Sequence, residues 1–117
     1  MPFLSWPAVA PWVMLTLSNV FMTTAWYGHL KFRDAPLSLV IIFSWLIAGL
    51  EYSLAVPANR IGAAVYSAAQ LKAIQEVITL AVFVAFSFFY LGQPVRPMAI
   101  AGFVLILAGA SLVFFQR

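Results

Sequence analysis

Residues 97–115 read PMAIAGFVLILAGASLVFF, and this stretch decides the class of fold. It carries no charged side chain over its whole length. A helix needs about 20 mainly apolar residues to cross the roughly 30 Å hydrocarbon core of a bilayer. The stretch is close to that length, and we therefore expect it to be a transmembrane helix.

Three further apolar stretches precede it in the chain. Together the four predict helices over approximately 8–28, 36–56, 63–91 and 97–115. Most prolines lie at or near the expected helix ends, where a missing N–H costs little. A membrane β-barrel needs at least about eight strands, which this chain cannot supply. We predict an all-α membrane protein, with residues 1–117 forming a single domain of four transmembrane helices.

The composition argues against several other classes of protein. Of the 117 residues, 65% are hydrophobic and 8% are charged, whereas soluble domains have about 25% charged residues. Lys and Arg are scattered singly, so no basic stripe could follow the phosphates of a nucleic acid. With no cysteine and one histidine, no cluster of metal ligands is expected. Because no nucleophile–base pair, carboxylate dyad or phosphate loop is visible, we expect neither catalysis nor a cofactor.

The third apolar stretch is longer than a bilayer requires. At 1.5 Å per residue, a helix over 63–91 would extend about 43 Å. Its first half contains several polar and charged residues, whereas 77–91 is free of charge. We expect this helix to begin outside the bilayer or along its interface, after a sharp turn between Pro57 and Gly62.

Basic residues are divided evenly between the two expected membrane faces. Each face receives three: Arg60, Lys72 and Arg117 on the side of the chain termini, and Lys31, Arg33 and Arg96 on the other. The Lys and Arg bias that sets membrane orientation is therefore missing. Insertion in both orientations, and with it an antiparallel homodimer, stays open. The alternative is a weak bias toward one orientation, if Lys72 lies too far from the membrane to count.

Several segments resemble a known family of membrane proteins. Residues 88–93 (FFYLGQ) and 101–110 (AGFVLILAGA) resemble the end of the repeat of the drug/metabolite transporter superfamily. Val56-Pro57, leading into residues 62–67 (GAAVYS), is similar to its small multidrug resistance branch. The resemblance covers nearly the whole chain, which is identified as a four-helix member within a group known only as a domain of unknown function.

The resemblance implies a homodimer of four-helix subunits, with a substrate cavity between them and a mobile third helix. In small multidrug transporters, protons and cationic substrates compete for a glutamate in the first helix. The matching position here is Asn19, which does not titrate, so the resemblance implies a cavity-lining role without proton coupling. From the residues alone, Asn19 could instead form an interhelical hydrogen bond that fixes packing. Its neighbour Ser18 is expected to bond to the backbone.

Glu51 is the acidic residue within an otherwise uncharged span. It lies five residues before Val56, about 8 Å from the expected end of the second helix. One interpretation makes Glu51 a proton or cation site that couples transport. The other is that its side chain reaches the interface and pairs with Arg60 across the turn at Pro57. The sequence leaves both open.

The start of the third stretch gathers further polar candidates. Tyr66, Gln70 and Glu76 are candidates for contact with a substrate or a coupled proton. Lys72 and Arg60 could form a gate or a charge network beside them. Because Lys72 and Glu76 are four residues apart, they can pair on one helix face. The alternative is a solvated helix extension whose ion pair adds little stability.

Gly102 and Gly109 lie seven residues apart in the fourth stretch and so share a helix face. Small residues at such spacing let helix backbones approach closely in membranes. We expect a helix-packing contact there, either within the subunit or across a dimer.

Two functions are compatible with these features. The first is a small secondary transporter of the drug/metabolite type, a homodimer in the bacterial inner membrane that moves a small polar or cationic molecule. The second is a non-transporting accessory or lipid-interacting membrane protein built on the same scaffold. The expected partners are membrane lipid, a second copy of the chain and an unidentified small molecule, and not nucleic acid.

Overall fold

In a computed structural model, residues 5–116 are described and fold into four long helices. These are α1 (Trp6–Tyr27), α2 (Leu37–Gly62), α3 (Ala68–Phe89) and α4 (Pro97–Phe114). A short 3₁₀ helix, Gly28–Lys31, continues α1. All four long helices are sufficiently long and apolar to cross a membrane, and the described residues contain no strand. The predicted four-helix, all-α membrane fold is confirmed.

The helices form a flat array. α1 packs on both α2 and α3, and α4 packs on α3, so the order in space is α2, α1, α3, α4. The array measures 50 × 34 × 19 Å. The connections over residues 28–36 and 90–96 lie at one end, here called the hairpin side. The opposite end, with the 63–67 connection and the beginning of α1, is the terminal side. Arg117, which the sequence assigned to that side, lies outside the described residues.

The core lies between α1, α2 and α3. Leu15 of α1 and Ile74 of α3 are fully buried there, against Ala55 and Ala58 of α2. Alanine at these α2 positions lets the larger leucine and isoleucine side chains fill the space between the helices. The core is thus built on the central helix α1 and its two neighbours.

The second helix is longer, and the third shorter, than predicted. α2 continues through Pro57 to Gly62, and α3 begins only at Ala68. The predicted sharp turn between Pro57 and Gly62 is therefore wrong. A proline removes one helical hydrogen bond, whereas ending the helix at 56 would leave four carbonyls without partners near the membrane. With 22 residues, α3 extends about 33 Å, so the prediction of a third helix that overshoots the bilayer is also wrong.

A close contact fixes the end of α2 against α1. A Cβ built on Gly62 would lie 2.7 Å from Leu71 Cδ2 and 2.8 Å from Pro11 Cγ. Only a glycine allows α2 to end at this distance from the proline ring. The 63–67 turn follows directly, and it positions the start of α3.

Candidate functional site

Glu51 lies near the middle of α2 and receives a hydrogen bond from the central helix. Because α2 extends to Gly62, Glu51 is eleven residues from the helix end, about 16 Å rather than the expected 8 Å. The hydroxyl of Ser18 donates to Glu51 Oε1 at 3.1 Å, and Ser18 is 1% exposed. The expectation that Ser18 bonds to the backbone is therefore wrong. Its side chain joins α1 to the acidic residue of α2.

Arg60 does not pair with Glu51. The only ion pair within residues 5–116 joins Lys72 and Glu76, and Arg60 is exposed in the last turn of α2. The interpretation of Glu51 as an interfacial partner of Arg60 is thus contradicted. Because α2 continues unbroken through Pro57, it holds the two residues more than two helical turns apart. Glu51 is half-buried and also borders a groove of about 570 Å³ on the outer side of α2.

Asn19 forms a second polar contact on the opposite side of α1. Its Oδ1 accepts a hydrogen bond of 2.5 Å from the hydroxyl of Thr79 on α3. Its Nδ2 donates to the carbonyl oxygen of Leu15 at 2.8 Å. Asn19 is 1% exposed, so both ends of the amide are satisfied without water. This is the interhelical hydrogen bond that the sequence left open as one role for Asn19.

The two contacts together connect three helices through polar side chains. Ser18 and Asn19 are consecutive, and their side chains turn to opposite neighbours, toward Glu51 on α2 and Thr79 on α3. All four residues lie near the middle of their helices, and we call Ser18, Asn19, Glu51 and Thr79 the polar layer. Since polar groups in hydrocarbon need partners, this layer ties α2, α1 and α3 together at the depth where unpaired groups cost most.

The polar layer reaches an open groove between α1, α3 and α4. The groove has a volume of about 610 Å³, and Thr79 and Thr23 lie in its wall. Ring contacts set the rest of the wall: Phe83 packs edge-on against Tyr27 at 5.3 Å and against Phe103 at 6.4 Å. None of the residues that line the groove is charged. We call it the aromatic groove, defined by Thr23, Trp26, Tyr27, Thr79, Phe83 and Phe103.

Tyr66 and Gln70, which the sequence placed among the substrate candidates, hold the terminal side of the array together. The Tyr66 hydroxyl donates to the carbonyl of Ala8 at 2.8 Å and accepts from Trp12 Nε1 at 3.2 Å. Gln70 Nε2 donates to the carbonyl of Phe114 at 2.9 Å. These bonds join the 63–67 turn and the start of α3 to both α1 and α4. Neither residue lies in the aromatic groove.

Gln70 also takes part in the N-terminal cap of α3, whose N-cap residue is Ser67. Its backbone N–H donates to the Ser67 hydroxyl at 3.1 Å, and its side-chain oxygen accepts from the Ser67 N–H at 2.9 Å. This reciprocal pair is a capping box, and it satisfies two backbone donors that a helix start leaves unpaired. The capping box explains why α3 begins at Ala68 rather than at residue 63.

Lys72 and Glu76 form the predicted i, i+4 ion pair. Their charged atoms are 3.0 Å apart, and the side chains are 71% and 41% exposed. The pair borders a groove of about 320 Å³ between α3 and α4, which also contains Gly109. It does not join Arg60 in an ion-pair network among the described residues. Its exposure matches the interpretation of a solvated pair, which contributes little to stability.

Gly102 and Gly109 make no close helix contact within the subunit. A Cβ built on either one would meet no heavy atom within 4 Å. The contact across a dimer, which the sequence left open beside it, stays a prediction. Gly109 is exposed and lies in the wall of the groove between α3 and α4, and Gly102 is half-buried.

Two members of the polar layer, Ser18 and Thr79, were not recognised as site residues in the sequence. Their depth in the helices was the feature of the sequence that could have identified them. A hydroxyl at the middle of a transmembrane helix bonds either to its own backbone or to a neighbouring helix. Periodicity does not decide between these, because Thr16, two residues before Ser18, does bond to its own helix at the Trp12 carbonyl. The residues described contain no group of three or more His, Cys, Asp or Glu that could hold a metal ion.

Comparison with known proteins gives the class of this membrane protein. Residues 11–114 match the model of a protein family, DMT_6, described as "Putative member of DMT superfamily (DUF486)". The chain belongs to this family, and the resemblance to the drug/metabolite transporter superfamily is thereby confirmed. Membership points to transport rather than to catalysis. No curated protein and no solved structure matches the chain significantly.

Proposed function

We propose that the protein is a small secondary transporter of the drug/metabolite type that works as a homodimer in the bacterial inner membrane. Family membership and four apolar helices support an integral membrane protein of transporter type. The observation that carries the proposal further is the polar layer, which runs from Glu51 across α1 to Thr79 in the wall of the aromatic groove. It gives a membrane-embedded acid a structural connection to a substrate-sized space.

The aromatic groove supports a small polar or cationic molecule as substrate. Its volume of about 610 Å³ lies within the range of roughly 300–1,000 Å³ that small-molecule sites occupy. Trp and Tyr faces attract cations, and this attraction strengthens away from water. The Thr79 hydroxyl donates to Asn19 and can accept a hydrogen bond from a polar group, and Thr23 adds a second hydroxyl to the wall. Since no charged residue lines the groove, a bound cation would depend on the rings and not on an ion pair.

Glu51 is the proposed proton site. While it accepts a hydrogen bond from Ser18, a free lone pair remains for a proton, and protonation makes the carboxyl group a donor as well. That change alters the contact with Ser18, and Asn19 is the next residue along α1. A shift of α1 at this level would disturb the bond to Thr79 at the aromatic groove. In this scheme Asn19 transmits the proton state and does not bind the proton itself.

The proposed dimer contact involves α4. The outer helices α2 and α4 are each 6% buried over the apolar windows that could cross a membrane. A Cβ on Gly102 or Gly109 would meet no atom within 4 Å, which leaves space for a second helix to approach α4 closely. A partner there would border the two grooves that α3 and α4 help to line. In this arrangement the second subunit completes the substrate path. The even division of basic residues leaves an antiparallel arrangement available.

Proteoliposome flux under an imposed pH gradient tests the transport proposal. Uptake of a lipophilic cation, tetraphenylphosphonium, and of a small polar amine would be compared between wild type and variants. Glu51→Gln is expected to abolish the dependence of uptake on the pH gradient. Thr79→Val is expected to reduce uptake about threefold through loss of one membrane hydrogen bond. Thr16→Val is the matched control, since its hydroxyl bonds to its own helix and should leave flux unchanged.

The result also separates transport from the alternative function. If wild type moves neither probe and the gradient has no effect, the transporter proposal fails, and an accessory or lipid-interacting role takes its place. Should flux persist with an unchanged gradient dependence in Glu51→Gln, transport would stand, but Glu51 would not be the coupling residue.

A further inference from the structure

A second groove, separate from the aromatic groove, lies at the hairpin side of the array. It has a volume of about 340 Å³ and lies between the end of α1, the 3₁₀ helix and the first half of α2. Its long wall comes from one face of α2: Leu39, Val40, Phe43 and Ile47. From Leu39 to Ile47 the helix rises about 12 Å, so the groove extends from the membrane interface well into the hydrocarbon.

The mouth of this groove is polar and cationic. His29 and Tyr90 lie at the mouth, and the ammonium group of Lys31 sits 4.2 Å above the centre of the Tyr90 ring. The Tyr90 ring is itself held by stacking on Phe86 at 4.8 Å and by a hydroxyl hydrogen bond of 3.4 Å to the Gly28 carbonyl. Lys31 is therefore held at the groove mouth by a fixed aromatic wall.

The charges of the hairpin side favour an anionic ligand. Its basic residues are Lys31, Arg33 and Arg96, against Asp34 as the acid. None of these residues forms an ion pair with a described residue. The one ion pair within residues 5–116 joins Lys72 and Glu76 on α3. Arg33 and Asp34 lie between Phe32 and Ala35 in sequence, and Phe32 and Ala35 both line the groove. Three basic residues against one acid leave this side with a net positive charge. Unpaired cations beside an apolar groove at the membrane surface complement a molecule with an anionic head and an apolar tail.

We propose that this groove binds an anionic phospholipid, with one acyl chain along α2 and the phosphate head group at Lys31 and Arg33. A free phosphate would use the cations alone and would leave the apolar wall of Leu39, Phe43 and Ile47 without a role. The groove depth and the net positive charge therefore assign a lipid and not a soluble anion. The site is independent of the proposed transport function.

Native mass spectrometry of the purified full chain tests this assignment. The protein would be mixed with equal amounts of phosphatidylglycerol and phosphatidylcholine that carry the same acyl chains. Wild type is expected to retain phosphatidylglycerol preferentially. Removing each basic residue should cost about fivefold in that preference, so Lys31→Gln with Arg33→Gln should lose about 25-fold. Lys31→Arg with Arg33→Lys keeps the charges and should restore the preference.

Two matched controls locate the site. Arg60→Gln with Lys72→Gln removes the same charge from the terminal side and should leave the preference intact. Ser44→Phe fills the groove and should reduce lipid retention without changing charge, whereas Ala48→Phe, which fills a neighbouring groove on α2, should not. Helicity by circular dichroism confirms that each variant is folded.

Three outcomes would overturn the assignment. The first is equal retention of both lipids by wild type. The second is a preference that survives the substitutions of Lys31 and Arg33 but is lost with those of Arg60 and Lys72. The third is displacement of the lipid by inorganic phosphate together with no effect of Ser44→Phe, which would identify a site for a soluble anion.

Discussion

The central helix α1 is less apolar than the outer helices α2 and α4. This is the reverse of a soluble protein, in which the most apolar elements lie inside. The α1 span has a mean hydropathy of 1.3 and is 44% buried over its apolar window, whereas α4 has a mean hydropathy of 2.2 and is 6% buried. α2, with a mean hydropathy of 2.0, is equally uncovered. The least apolar helix lies inside, and the most apolar helices face outward.

The physical reason is that lipid competes with the protein for apolar surface and does not compete for polar groups. An exposed leucine gains nothing by moving from lipid into the protein, while a hydroxyl or amide in hydrocarbon must find a partner. Ser18 and Asn19 therefore fix α1 between two helices that supply those partners. α4 offers no comparable group at mid-depth, and it packs mainly on α3.

The comparison predicts that leucines on inner and outer helices differ most in their contribution to stability. Leu15 is 0% exposed, and Leu46 on α2 is 54% exposed. Leu15→Ala leaves a cavity and should lower the free energy of unfolding by about 2–5 kcal/mol. Leu46→Ala should change it by less than about 0.5 kcal/mol, as surface substitutions do. Reversible unfolding in mixed micelles measures both, and similar losses would contradict the sorting of the helices.

Substitutions of Gly62 and Gly49 should give the next largest difference in the free energy of unfolding. Gly62→Ala places a methyl group 2.8 Å from Pro11 Cγ and 2.7 Å from Leu71 Cδ2, and such overpacking costs about 1–3 kcal/mol. Gly49→Ala, on the same helix, meets no atom within 4 Å and should be neutral or slightly stabilising. The same unfolding assay compares them. A tolerated Gly62→Ala would show that the end of α2 does not rest on α1.

The contact between Asn19 and Thr79 should have a smaller but measurable effect. A double-mutant cycle with Asn19→Ala and Thr79→Val is expected to give a coupling free energy of about 0.6 kcal/mol, with about 1.7 kcal/mol as the upper end for membrane hydrogen bonds. Combining Asn19→Ala with Thr16→Val should give no coupling, because the Thr16 hydroxyl bonds to its own helix. Zero coupling in both cycles would contradict the hydrogen bond that joins Thr79 on α3 to Asn19 in the polar layer.

The exposed ion pair should contribute least. Lys72 and Glu76 are 71% and 41% exposed, and such i, i+4 pairs are worth about 0.3–0.5 kcal/mol. Lys72→Gln should therefore lower the free energy of unfolding by no more than this, and less in high salt. A loss comparable to that of Gly62→Ala would mean that Lys72 takes part in a buried network.

The sequence predicted the fold class and the helix number because both follow from the length of uncharged stretches such as 97–115. It misplaced the second and third helices because the proline rule was applied at Pro57 without weighing the cost of unpaired carbonyls near lipid. That error also put Glu51 too close to the interface and suggested Arg60 as its partner. Asn19 was recognised by its depth, whereas the choice of partners for Ser18 and Thr79 depends on helix rotation, which a single sequence does not determine.

Methyl NMR in nanodiscs tests the helix sorting most directly, without altering the packing under study. Leucine methyl groups would be isotope-labelled and assigned, and lipids with a nitroxide near the chain end would be added. Signals of the Leu46 methyls should be strongly broadened, while those of Leu15 should keep their intensity because no lipid reaches the core between α1, α2 and α3. Equal broadening of both residues would contradict a central α1 that is covered by its two neighbours.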